Sequence, residues 1–253
     1  MEVGAGVRRF GSPLINGYLI EEGGRVTLLD TGLPGYWPGL LRELSDMGRS
    51  LADIDAVLLT HSHPDHVGVA ERVRSASGAK VYAHPLEIPA LTGKVTGKPP
   101  PFLSQGFHPF LYRYLFHAMR NGVTKRVPIA AVNEFADGEV VQVPGSPRVV
   151  HAPGHTAGHC ALHLKDRDIL FSGDALCTIE VVTGQPRPCI PADFVNQDSA
   201  LALESLARLE KQEAATMLPG HGEPWKDGVR QAVELARASA REWVKPKVGG
   251  IPN

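Results

Sequence analysis

The chain has 253 residues, a formal net charge of −1 and charged side chains at 21% of positions. That length can bury a sizeable core within one domain, and the balanced charge gives no pull towards nucleic acid or an anionic membrane. No apolar run approaches the length of a bilayer span, no signal-like stretch follows Arg8 and Arg9, and the three cysteines (Cys160, Cys177, Cys189) lack a pairing pattern, which fits a reducing cytoplasm.

In chain order, Leu14 to Ile20 and Val26 to Leu29 read as two strands joined at the Glu21–Gly24 turn. Leu40, Leu41, Leu44 and Met47 have helical spacing, and Gly48 closes that helix. Ala56 to Leu59 is a short apolar run of buried-strand type, and Thr60 to Pro64 follow it as a loop. Asp65 is expected to open a helix carrying Val67, Val69, Ala70 and Val73. Lys80 to Ala83 is a further strand. Val140 to Val143, Arg148 to His151, Cys160 to Leu164 and Ile169 to Ser172 give a run of short strands separated by turn residues. Leu201, Leu203, Leu206 and Leu209 stripe a helix, Thr216 to Leu218 form a last strand, and Val229 to Val244 a final helix. Two halves of strands followed by helices predict an α/β, four-layer αββα sandwich within a single domain spanning residues 1–253.

Chemistry concentrates in a few residues beside these elements. The run Thr60-His61-Ser62-His63-Pro64-Asp65-His66 places four ligand-type side chains at a strand end. In extended chain, side chains two apart point the same way, so His61 and His63 can grip one ion together. At the expected helix start, Asp65 and His66 project towards a second. His155, Asp174 and His221 lie in Pro153-Gly154-His155, Ser172-Gly173-Asp174 and Pro219-Gly220-His221-Gly222, all turn-like contexts at the ends of apolar runs. Zinc takes imidazole nitrogen and carboxylate oxygen, and a catalytic site keeps a position open for water. His61, His63 and His155 would hold one ion, Asp65, His66 and His221 a second, and Asp174 would bridge them. The expected cofactor is a pair of divalent metal ions, zinc foremost, with iron or manganese as alternatives.

These residues resemble the metallo-β-lactamase superfamily of binuclear metallohydrolases, over about Ser12 to Trp225. Besides the His61–His66 run, the likeness includes Leu28-Leu29-Asp30-Thr31-Gly32, Pro153-Gly154-His155-Thr156, Gly173-Asp174 and Pro219-Gly220-His221. It implies the same sandwich, with the metals in a groove where the two sheets meet, and the seven residues as ligands. Asp30 would be a carboxylate that orients a ligand from behind, since the free nitrogen of a bound His needs an acceptor. A plain turn-forming role for Asp30 remains open. His159 would stand behind the site or near the pocket, or be a strand-edge histidine. His84, His108, His117, His151 and His163 receive no role.

The segment from Thr92 to Asp137 begins at Lys98-Pro99-Pro100-Pro101 with an aromatic-rich stretch after it. In the family, insertions here cover the metal groove. Phe107, Phe110, Tyr112 and Tyr114, with Cys177 from beyond the bridging Asp, are therefore substrate-pocket candidates, and the bland alternatives are core packing or a homodimer contact. Arg113, Arg120, Lys125 and Arg126 read as solvated basic side chains. Trp225 beside Pro224 reads as a core residue at the start of the last helical region.

The reaction this implies is hydrolysis. Two ions lower the pKa of a shared water, giving hydroxide that attacks a carbonyl or phosphoryl centre, with Asp65 and Asp174 as the catalytic carboxylates. Zinc β-lactamases of the best-known kind use a Cys where Asp174 stands. Glyoxalase II-type thioesterases add a C-terminal helical region, whereas only about thirty residues follow His221. Acyl-homoserine lactonases often carry a Tyr where Cys177 stands, a role that Tyr112 or Tyr114 could supply from the lid. The expected activity is cleavage of an ester-like bond, lactone or thioester, in a small molecule. The alternatives are a mononuclear iron persulfide dioxygenase using His61 or a neighbour, His155 and Asp174, then β-lactamase or phosphodiesterase activity, and last a non-catalytic metal-binding protein.

Overall fold

Alternation of side chains divides each central strand between two cores, and this explains the layering. In the computed structural model, which describes residues 1–95, 101–102, 106–125 and 127–243, β1 (Glu2–Gly4), β2 (Val7–Ser12), β3 (Ile15–Glu22) and β4 (Arg25–Leu29) form an antiparallel meander. β5 (Ile54–Leu58), β6 (Lys80–Ala83) and β7 (Asn133–Glu134) extend it in parallel, so seven strands lie in chain order. The second sheet contains β8 (Arg148–His151), β9 (Cys160–Leu164), β10 (Ile169–Gly173) and β13 (Thr216–Pro219) in the order β13-β10-β9-β8. A separate hairpin, β11 (Cys177–Ile179) with β12 (Pro186–Cys189), intervenes.

Between the sheets, Tyr18, Ile20, Leu29 and Leu58 meet Leu162, Phe171 and Leu218. Tyr18 stands edge-on to Phe171 at 5.3 Å between ring centroids. Leu19, one residue from Tyr18, points the other way into an outer core with Leu28, Val57 and Val81. That core is covered by α1 (Trp37–Asp46), α2 (Ala70–Ser77) and α4 (Pro109–Arg120), which contribute Leu40, Leu44, Val73, Tyr114 and Ala118, while the single turn α3 (Ile88–Leu91) adds Leu91. On the far side, α5 (Ser199–Glu210) and α6 (Val229–Trp243) pack Leu206, Leu209, Val229 and Val233 against Val150, Leu170 and Met217. The result is an αββα sandwich. No helix among the described residues is long and apolar enough to cross a membrane.

Strand direction sets where chemistry can gather. β4 and β5 run parallel, as do β10 and β13, and β8 shares their direction because both β8 and β10 are antiparallel to β9. Asp30, Thr60, Asp174 and Gly220 follow the C-terminal ends of β4, β5, β10 and β13, and Pro153–His155 follow β8. The loops with Gly and Pro therefore converge from both sheets on one edge.

Four differences from the sequence-based expectation have local causes. The chain from Pro64 to Val69 is a turn, and α2 begins only at Ala70 rather than at Asp65. Backbone groups that a helix would use are instead stitched to the β4 loop: Thr31 N–H donates to the His66 carbonyl at 2.6 Å, and Gly68 N–H to that of Gly32 at 2.7 Å. Gly68 lies so close that an added Cβ would sit 2.4 Å from Leu33 and Pro34 backbone atoms. Val67 and Val69 are still core residues, so the apolar pattern marked burial correctly but not conformation. Val140 to Val143 is not a strand; only a bridge from Val140 to Arg148 forms, because the chain turns at once through Pro144 and Gly145. β1, β2 and the β11–β12 hairpin were not anticipated, since Gly, Pro and Arg interrupt their alternation. Trp225 is half-buried against the α5–α6 core and exchanges backbone bonds with Met217 rather than starting a helix. Lys98, Pro99, Pro100, Arg126 and Val244 lie outside the described residues.

Candidate metal centre

Where β5 ends, the loop carries His61 and His63 into contact with His155 from the loop after β8. The three rings stand 4.6, 4.8 and 4.6 Å apart between centroids, nearly perpendicular to one another. The His63 Nδ1 and His155 Nε2 atoms face each other at 2.9 Å. Asp65, His66 and His221 make a second set, in which Asp65 Oδ2 lies 3.9 Å from His66 Nε2 and 3.5 Å from His221 Nε2. Asp174 reaches both. Its Oδ1 is 3.5 Å from His66 Nε2, and its Oδ2 is 3.0 Å from His221 Nε2 and 3.4 Å from His155 Nε2. Ligand atoms within each of the groups His61–His63–His155, His61–His66–Asp174 and Asp65–His66–His221 lie within 4.8 Å of one another. Gly220 makes this closeness feasible, because a Cβ there would lie 2.1 Å from Asp174 Oδ1.

The hydrogen bonds behind the rings decide which nitrogens face inward. The Thr60 hydroxyl donates to Asp30 Oδ2 at 2.8 Å, so it accepts from His61 Nδ1–H at 2.9 Å. His66 Nδ1–H donates to Asp30 Oδ2 at 2.8 Å, and His155 Nδ1–H to Asn196 Oδ1 at 2.9 Å. His221 Nδ1–H donates to the Leu14 carbonyl. Each of these rings thus keeps its Nε2 lone pair for the centre. The Nε2 atoms of His61 and His66 are fully buried and have no hydrogen-bond partner. An orphaned buried acceptor costs about 1–3 kcal/mol, and a cation between these atoms and the carboxylates removes that cost. The donor set of imidazoles and carboxylates fits a divalent metal.

Electrostatics separate the two sets. Burial opposes charge on His66 and His221, but Asp174 and the other carboxylates outweigh it and raise both, His66 well above its usual pKa. Without an ion these two rings bind protons where a cation would sit, whereas the first set stays neutral. Burial first, then the neighbouring imidazoles, holds His61 well below its usual pKa, and the same causes bring His155 to about 4. Burial also lowers His63. All three stay neutral near pH 7 and can offer lone pairs. Burial opposes charge on Asp174, but the surrounding His221 and His66 outweigh it and keep its carboxyl well below the usual range. Burial likewise resists ionisation of Asp65, and His66 and His221 overcome it.

Several positions were not predicted from sequence. Glu87, only 2% exposed, accepts from Ser62 N–H at 2.9 Å through Oε2, and from Gly158 N–H at 2.9 Å and the Thr156 hydroxyl at 2.7 Å through Oε1. One carboxylate thereby ties the His61–His63 loop to the His155 loop. Asn196 has its amide fixed by donation to the Pro191 carbonyl and Ser199 Oγ, which turns its oxygen to His155. No motif or spacing marks either residue. Asp30 sits behind His66 and the Thr60–His61 pair, and also accepts from Thr60 N–H at 2.9 Å. His159 stands behind the ligand sets, its ring centroid 5.1 Å from that of His61, and its Nε2 accepts from the Asp174 backbone N–H at 2.9 Å, which orients that loop.

The five pocket candidates separate. Tyr114 is buried and donates from its hydroxyl to Asp65 Oδ2 at 2.8 Å; burial and the Asp65 charge raise its pKa far enough that it stays a donor. Cys177 is buried with its Sγ 3.9 Å from Asp174 Oδ1. Phe110 lines an open pocket of about 470 Å³ beside the centre. Phe107 and Tyr112 do not line it. They are 80% and 40% exposed and tilt against each other at 5.4 Å, because α4 turns Leu111, Tyr114 and Ala118 inward and carries position 112 to the outer face. The described residues of the 92–137 segment are thus partly core and partly wall.

The metallo-beta-lactamase superfamily model matches residues 13–221. The probable metallo-hydrolase YflN of Bacillus subtilis is 28% identical over 232 residues, covering 88% of this chain and 86% of that protein. A hydroxyacylglutathione hydrolase of Cereibacter sphaeroides is 30% identical over 63% of this chain but 47% of its own length. An atrochrysone carboxyl ACP thioesterase of Paecilomyces divaricatus is 26% identical, over 82% of this chain and 50% of its own. The crystal structure of a metallo-beta-lactamase family protein from Thermus thermophilus superposes with a TM-score of 0.68 at 28% identity, covering 94% of this chain and 80% of that one. With a matching model over most of the chain and the ligand-type residues gathered at one sheet edge, this protein belongs to the metallo-β-lactamase superfamily, whose members bind divalent metals.

Proposed function

We propose that the protein is a binuclear metal-dependent hydrolase that cleaves an ester-like bond, lactone or thioester, in a small molecule. One observation carries this reading: two three-residue ligand sets share the Asp174 carboxylate, with buried imidazole lone pairs aimed between them. Two bound divalent ions, with zinc best suited to the donors, supply hydroxide at neutral pH and a Lewis-acid contact for the substrate oxygen. His61, His63 and His155 would hold the first ion, and Asp65, His66 and His221 the second. Asp174 fixes the separation of the two sets and is placed to accept a proton from the attacking water. Tyr114 pins Asp65 from the wall by donating to Oδ2, the same oxygen that faces His66 and His221, so the hydroxyl fixes where that carboxylate oxygen stands. A single-iron dioxygenase would leave Asp65, His66 and His221 without work, although they converge as tightly as the first set. The names of two relatives, an acylglutathione hydrolase and an acyl-carrier thioesterase, favour an acyl bond over a phosphodiester.

The test is metal analysis of protein purified without added metal, followed by assays of lactones, thioesters, phosphodiesters and cephalosporins with zinc-, manganese- and iron-reconstituted protein. Two ions per chain and turnover of the lactone or thioester is the expected result. One iron per chain with oxygen uptake on a persulfide would refute it.

A further inference from the structure

The open pocket beside the metal centre has a composition that the hydrolase reading does not explain. Its walls are apolar at Leu14, Phe110, Phe116 and Ile179, yet Arg113 and Arg120 also line it, and no acidic side chain does. Arg113 and Arg120 lie seven residues apart on α4, hence on one face of the helix. Neither guanidinium meets a carboxylate among the described residues. The C-terminal end of a helix dipole would favour Arg120 by itself, but Arg113 is mid-helix and sits over the Phe110 ring, 5.9 Å from its centroid. Nor does the chain as a whole carry excess positive charge, since its formal net charge is −1. The nearest acidic residue along the hairpin, Glu180, has its carboxylate engaged by the Val182 and Thr183 backbone N–H groups.

The pocket and the metal centre share a wall. Leu14, which lines the pocket, lends its carbonyl to His221. Tyr36 joins two other lining residues, with its hydroxyl 3.1 Å from Ser12 Oγ and 2.7 Å from His117 Nε2. α4 itself carries Tyr114 to Asp65 on one side and Arg113 to the pocket on the next. A substrate with its scissile carbonyl at the centre would run its non-reacting arm past Leu14 into this cleft. Apolar walls with two guanidiniums that meet no carboxylate among the described residues suit an arm that is greasy along its length and anionic at its end.

We propose that the pocket selects acyl substrates bearing a carboxylate or phosphate on the acyl arm, and that Arg113 and Arg120 are the specificity-determining residues. This rests on the hydrolase reading above. The test compares 4-nitrophenyl esters with a common six-carbon acyl chain ending in methyl, carboxylate or phosphate, on zinc-loaded protein. At least one anionic ester should exceed the methyl ester in kcat/KM by about tenfold or more, as expected for charge-assisted bonds, and which one tells carboxylate from phosphate. The double variant Arg113→Gln/Arg120→Gln should erase that preference, and Arg113→Lys/Arg120→Lys should keep most of it. No preference in the native protein, or a preference that survives the Gln pair, overturns the proposal; so does equal loss with Lys and Gln, which marks a structural role. If no ester is cleaved, the hydrolase reading fails separately, and binding of adipate and hexyl phosphate followed by NMR decides: saturable binding lost in the Gln pair supports the pocket, and no binding overturns it.

Discussion

The metal centre and the α4 wall lie side by side and are built on opposite principles. In the centre, each ligand histidine that shows an inward Nε2 has its far nitrogen tied to a named acceptor: Thr60, Asp30, Asn196 or the Leu14 carbonyl. On the wall, Arg113, Phe116 and Arg120 are exposed, and no acidic side chain of the pocket answers the two guanidiniums. Groups with satisfied, buried partners hold one geometry, as preorganised chemistry requires. Groups facing a cleft can change without disturbing the sandwich, and that is where substrate choice can be written.

Four substitutions probe this contrast, and the largest effect belongs at the shared carboxylate. Asp174→Ala removes the carboxylate placed between the two sets; bound metal should fall to one ion or fewer per chain by elemental analysis, and turnover by more than about a thousandfold, since metal activation is worth several kcal/mol. Asp30→Asn touches no ion but leaves His66 and Thr60 a poorer acceptor. Chelator competition should show metal affinity lowered by about 10–100-fold, with an intact fold by circular dichroism. Glu87→Gln tests whether the two loops of the first set depend on their common tie. It loses one acceptor position in a buried site, so urea unfolding of the metal-free protein should show a loss of about 1–3 kcal/mol. An unchanged midpoint would mean that the loops hold themselves. At the wall, Phe107→Ser should alter stability by no more than about 0.5 kcal/mol, because its ring is 80% exposed; a larger loss would show that the wall is as tightly built as the centre.

What sequence could reveal follows the same division. That the His61–His66 run, His155, Asp174 and His221 come together was legible because ligand chemistry restricts residue type and because Gly and Pro mark the loops. The layer order was legible because alternation and helical spacing are local. Glu87 and Asn196 were not, since their roles exist only through partners 71 and 41 positions away, at Gly158 and His155. The Leu14 carbonyl, 207 positions from His221, leaves no trace in residue type at all. Asp65 illustrates the opposite error. Its neighbours have helical apolar spacing, but backbone bonds to Thr31 and Gly32 hold them in a turn, and tertiary pairing outweighed local propensity. Arg113 and Arg120 looked like solvated cations because neither a pocket nor the missing counter-charge can be read from a single helix.

Anomalous diffraction from crystals of the zinc-loaded protein is the most direct test of the central claim. Two zinc peaks per chain are predicted, one ringed by His61, His63 and His155, the other by Asp65, His66 and His221, with Asp174 touching both. A single peak at full zinc loading, with either histidine set left empty, would contradict it.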